Sequence, residues 1–139
     1  EMNKSKEKTI ELAYLILRLS LGINMFLHGV VRIPKIDNFS AGIVESFSGT
    51  ILSQDMVSIF AYGLPYVELI IGFLLIVGLF TSESLLAGAL LIATLIFGSA
   101  LKENWSLISS QMLYSILFFM LSYLIQFNKY SIDKIRKKD

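Results

Sequence analysis

The chain has 139 residues, enough for one domain, and is 55% hydrophobic but only 17% charged. A water-soluble domain this short needs more charge to cover its surface, so the composition points to lipid as the main solvent. A formal net charge of +1 gives no reason to expect a nucleic-acid partner, and the lack of cysteine excludes a disulfide framework, a thiol relay and thiolate metal sites within the chain.

The N-terminal tail, residues 1–9, carries Lys4, Lys6 and Lys8. The first apolar stretch runs from about residue 10 to 31. It is too long for a signal peptide, carries Arg18, and no small-residue cleavage site follows it, so it reads as a membrane span. Its polar residues form a pattern: Arg18, Asn24, His28 and Arg32 follow at intervals of six, four and four. At about 100° per residue they fall within an arc of roughly 120°. Each charge inside a span costs about 2.5–3.5 kcal/mol on insertion scales. That polar face is therefore expected to point into a bundle.

The first connection, Arg32 to Met56, places Phe39, Ile43, Val44 and Phe47 at three- and four-residue spacing. This predicts a short amphipathic helix, capped by Asp37 or Asn38, either at the membrane interface or as a plain surface helix. The second span, about 57–80, holds Glu68 as its only ionisable residue, three residues after Pro65. Counted from the same membrane face, Glu68 lies roughly 6 Å above Arg18. The expectation is an Arg18–Glu68 ion pair, shared with Asn24 and completed by Gln111 and Tyr114 of the fourth span.

The third span, about 85–101, follows the four-residue link 81–84, and the fourth, about 107–127, follows the link 102–106. Links this short force antiparallel neighbours. The fold class is thus all-α: a single domain over 1–139, an antiparallel up-down bundle of four transmembrane helices. The second tail, 128–139, carries Lys129, Lys134, Arg136, Lys137 and Lys138. With the N-terminal lysines these outweigh Arg32, Lys35 and Lys102 on the other side, so both ends are expected in the cytoplasm.

No metal-ligand cluster, phosphate-cradling glycine loop or acyl-transfer triad is present in the sequence, and catalytic residues stay unassigned. The candidate site is the intramembrane polar set Arg18, Asn24, His28, Glu68, Gln111 and Tyr114. Two readings stand side by side: a buried pair that fixes helix register, and a direct part in ligand binding. His28 reads as a capping or interfacial residue, a proton-exchanging group or a quinone partner; one histidine cannot make a bis-histidine haem site. Arg32 and Lys35 are expected to be solvated at the outer face.

Leu17-Arg18-Leu19-Ser20-Leu21-Gly22 followed by His28-Gly29, then Pro65-Tyr66-Val67-Glu68 with Gly72 and Gly78-Leu79-Phe80-Thr81, then Tyr130-Ser131-Ile132-Asp133, together resemble the DoxX family of small bacterial membrane proteins. The resemblance covers about residues 10–133. It implies a four-helix bundle in the bacterial cytoplasmic (inner) membrane, with members similar to a subunit of thiosulfate:quinone oxidoreductase. The functional expectation is a small subunit supporting quinone-linked electron transfer, with no covalently bound cofactor and quinone as the ligand. An assembly or anchoring subunit and a lipid- or small-solute-binding bundle are the alternatives. Membrane lipid and partner subunits, or further copies of the chain, are the expected partners.

Overall fold

The computed structural model describes residues 3–137; Lys138, counted above among the basic residues of the second tail, lies outside the described residues. The described chain is helical throughout, with no strand. Helix α1 covers Lys4–Arg32, α2 Ile36–Ser46, α3 Gln54–Val77, α4 Thr81–Leu101, α5 Trp105–Tyr123 and α6 Ile132–Arg136, with single 3-10 turns at Ile33–Lys35 and Ile125–Phe127. Four of these helices, α1, α3, α4 and α5, are long and apolar enough to cross a membrane.

Local chemistry sets the boundaries. Asn3 caps α1 by accepting from the Ser5 N–H at 3.2 Å, so the helix starts among the lysines, well before the apolar run begins. Pro34 tightens the chain after Arg32 into the 3-10 turn that leads to α2. Ser53 accepts from the Met56 N–H to start α3, and Asn104 accepts from the Leu107 N–H to start α5. Helix α3 runs unbroken through the buried Pro65 and ends at Gly78, which takes the left-handed conformation at φ 67°. Helix α5 stops at Tyr123, short of the apolar run that continues to Phe127.

The tightest seam joins α1 to α3. Gly22 lies against Gly72 and Ile76, and Gly29 lies against Pro65 and Leu69. A Cβ on Gly72 would land on the backbone of Phe26. Small residues permit this approach, which in lipid supplies the packing that hydrophobic burial does not. The buried core is built from Tyr14, Leu21, Leu75, Leu85, Phe118 and Leu121 among others. Large apolar side chains such as Ile16, Ile59, Leu86 and Phe119 face outward, the surface that a lipid solvent calls for.

Candidate functional site

The glycine seam fixes which polar groups of α1 meet which groups of α3. Arg18 lies beside Gly78, so Glu68 sits roughly 15 Å further along the bundle axis, about ten residues of helix rise. The expected Arg18–Glu68 ion pair therefore does not form. Counting both spans from their apolar ends misplaced them, because the apolar run of α1 continues for about two turns past the end of α3, and the helix itself for about four.

Glu68 pairs instead with Arg32, whose Nη1 donates to both carboxylate oxygens at 2.8 and 2.6 Å. The Glu68 side chain is 6% exposed and that of Arg32 26%. The guanidinium also stacks 4.9 Å from the Phe39 ring of α2. Arg32, expected to be solvated, is the residue that ties α1, α2 and α3 together. Nearby, the Tyr62 hydroxyl donates to Asp37 at 2.7 Å, a second tie between α2 and α3.

Arg18 has a different set of partners. It is almost fully buried, and its guanidinium donates to the Asn128 side-chain oxygen and to the Tyr130 carbonyl, the latter at 2.8 Å. Asn128 donates in turn to the Thr81 hydroxyl at 3.1 Å. Beside them Phe80 adopts φ 48°, unusual for a bulky residue, and no side chain of its own turn caps α4. Asp133 supplies that cap from the far end of the chain. Its carboxylate accepts from the N–H groups of Phe80 and Thr81, each at 2.8 Å, and its own N–H donates to the Gly78 carbonyl at 3.0 Å. Partial burial acts to raise the Asp133 pKa. The hydrogen bonds from Thr81 and Phe80, with Arg136 nearby, outweigh it and hold the carboxyl below the usual carboxylate range.

The remaining sequence candidates divide. Asn24 donates to the Tyr114 hydroxyl, linking α1 to α5 midway along the bundle. His28 is half-buried and makes no side-chain hydrogen bond among the described residues. Gln111 sits apart from both charged clusters, on the wall of a cavity of about 260 Å³ enclosed by α2, α3, α4 and α5.

That cavity is mostly apolar, walled by Phe47, Met56, Phe60, Leu64, Leu95 and Phe97. Met56 and Phe97 are also exposed on the outer surface of the bundle, so its mouth borders the lipid-facing side. Its polar lining is Thr94, Ser99, Lys102 and Gln111. The Gln111 Nε2 donates to the buried Ser99 hydroxyl at 2.9 Å, while its Oε1 is buried with no hydrogen-bond partner. Lys102, at the end of α4, donates to the Ser46 hydroxyl at 3.1 Å and lies 4.6 Å from the Phe47 ring. Burial pushes its ammonium pKa down. An apolar chamber with a few convergent polar groups is the usual form of a small-molecule site. An unpartnered buried carbonyl costs about 1–3 kcal/mol unless something donates to it.

The sequence reading included Gln111 but missed Lys102 and Ser99. A lysine in a polar link and a serine in an apolar span carry no signal of their own; only the packing of Phe47 and Ser46 against the end of α4 brings them to one chamber. Among the described residues no group of three or more His, Asp or Glu side chains is placed to hold a metal ion.

Against known proteins, the model of one family, DoxX, matches residues 13–101. Neither a curated protein nor a solved structure matches the chain.

Proposed function

The chain belongs to the DoxX family, and from that premise we propose that this multi-pass membrane protein holds a lipid-soluble quinone in the cavity beneath α2, as a small subunit that supports quinone-linked electron transfer. The observation that carries this reading is the mostly apolar chamber whose wall includes Gln111, a side chain with a buried Oε1 that receives no hydrogen bond. A quinol hydroxyl is a donor of the right kind for it. The Lys102 ammonium, at the same chamber, is a donor for the carbonyl of the oxidised ring. Phe47, Phe60 and Phe97 offer aromatic faces to the headgroup, and the lipid-facing mouth suits an isoprenoid tail. Reduction of a quinone takes two electrons and two protons. The electrons would come from the redox centre of a partner protein, while this chain binds and orients the ring.

In this reading the helices run up and down with both chain ends in the cytoplasm of a bacterial inner membrane, and α2 lies as an amphipathic helix at the outer interface. Phe39, and Phe47 just past its end, pack toward the bundle while Glu45 and Ser46 are exposed, in line with that placement. The same cavity supports one second reading, a bundle that holds lipid acyl chains or another apolar solute.

Gentle purification followed by solvent extraction separates the two. Quinone should co-purify with the wild-type chain and fall by roughly tenfold in Gln111→Leu, the effect of one lost hydrogen bond of about 1.4 kcal/mol. Acyl chains without quinone in the extract would favour the second reading. Extracts free of both, from a chain that still co-purifies with a protein partner, would reduce it to an assembly subunit.

A further inference from the structure

A second chamber, of about 460 Å³, lies at the end of the bundle where α1 starts and α5 finishes. Its walls come from the strained turn before α4 and from the segment after α5. The polar part carries Lys129, Lys134, Arg136 and Lys137 against Glu83 and Asp133. Four cations against two carboxylates leave the cleft with a net positive charge, and Asp133 turns its oxygens to the backbone N–H groups of Phe80 and Thr81. Among the described residues none of these cations forms an ion pair within 4.0 Å. The apolar part consists of Phe80, with the Arg136 guanidinium 5.2 Å from its ring, and Ile125.

We infer that this cleft is a binding site for a phosphate group, presented by an anionic phospholipid whose glycerol and upper acyl carbons lie along Phe80 and Ile125. Three features favour it. The cleft sits just beyond the apolar lengths of α4 and α5, at the depth of lipid headgroups. Its cations come from one short stretch, residues 129–137, and face a cleft whose other wall is Phe80, Ser82 and Glu83, so they line a concave surface and not a loose tail. Its apolar wall is exposed Phe80, a ring that free phosphate in water would leave bare and a lipid would cover. The cleft is remote from the cavity beneath α2, and the inference stands or falls independently of quinone binding.

The test uses the full chain in a neutral detergent, with bound lipid counted by native mass spectrometry and thermal unfolding followed in parallel. Added phosphatidylglycerol should bind and raise the unfolding temperature, phosphatidylcholine should do neither, and millimolar inorganic phosphate should compete only weakly. Lys134→Gln with Lys137→Gln should weaken phosphatidylglycerol binding by about fivefold per charge removed, the equivalent of about 1 kcal/mol for each basic residue near an anionic surface. The control pair Lys4→Gln with Lys6→Gln, on the other tail, removes the same charge and should leave binding unchanged. Equal loss from the two pairs would overturn the site in favour of diffuse attraction. Equal binding of phosphatidylcholine would overturn the phosphate requirement. Inorganic phosphate that matches the lipid in effect would keep the phosphate site and overturn the lipid as its source.

Discussion

Two regions bury polar groups in this bundle, and they do so in opposite ways. Along the α1–α3 seam and at the turn before α4 each charge has partners: Glu68 has Arg32, the terminal nitrogens of Arg18 have Asn128 and the Tyr130 carbonyl while its Nε has none, and Asp133 has two backbone N–H groups. Beneath α2 the chamber keeps Gln111 Oε1 buried without a partner, in a space large enough for a small ring. A satisfied buried charge holds elements in place, and replacing it with apolar groups is often neutral. An orphaned buried acceptor is a cost that a donor entering the chamber removes. On the proposed reading the first region is architecture and the second binds, and each substitution below is a way to break that division.

The largest effect is expected at Gly72. Its neighbour is the backbone of Phe26, which cannot move aside as a side chain would. Gly72→Val should destabilise the bundle by at least about 3 kcal/mol, the upper range for overpacking, and remove the monodisperse peak in size-exclusion chromatography. A well-folded Gly72→Val protein would show that the seam does not set the register and would undo the assignment of Arg32 to Glu68.

The ion pair comes next. Glu68→Leu leaves the Arg32 charge with a partly exposed route to water, so its cost should be about 1–3 kcal/mol, below that of a fully buried pair. The double variant Arg32→Met with Glu68→Leu should return close to wild type in thermal unfolding and should keep its quinone. Normal stability with lost quinone in the double variant would move this pair from architecture to binding.

How far these regions were legible in the sequence follows from the same physics. Hydropathy finds the four long helices, because an 18-residue apolar window is an average over many residues and survives errors at its ends. Contacts between helices are set by single small residues. Gly22, Gly29 and Gly72 were visible as residues, but their pairing was not, and a shift of about two turns sent Arg18 to the wrong partner. Asp133 was recognised as part of a closing motif without a role, since its carboxylate caps a helix that starts some fifty residues earlier. Gln111 stood out because an amide in an apolar span needs a reason; that its Oε1 lacks a donor is a fact of three-dimensional packing alone.

A smaller effect is expected at Asp133. Its loss in Asp133→Ala removes the cap of α4 and should cost about 1 kcal/mol, typical of a helix N-cap. The folded pKa is depressed below the ordinary value of 3.8. The carboxylate therefore contributes stability that is fully present above that value and is lost as pH falls through the folded pKa. Thermal unfolding of the wild type should decline on acidification below about pH 4, and the Asp133→Ala protein should lack that part of the decline. Identical acid profiles would mean that the turn at Phe80 stands without its cap.

The smallest effect on stability, and the sharpest on function, is expected at Gln111. In Gln111→Leu one hydrogen bond to Ser99 is lost and one unpartnered acceptor disappears. The freed Ser99 hydroxyl can turn to the carbonyl one helical turn back, a bond that serines elsewhere in these helices make, as Ser20 does to Ile16. The two terms nearly offset, so the unfolding free energy should change by less than about 1 kcal/mol. Quinone content should nevertheless fall. A residue of the architectural kind would behave the other way, losing stability first and ligand only through unfolding. If Gln111→Leu unfolds as readily as Gly72→Val, the amide is part of the frame and the chamber beneath α2 is only a gap between helices. If it stays folded and empty, the buried acceptor is there for what it binds.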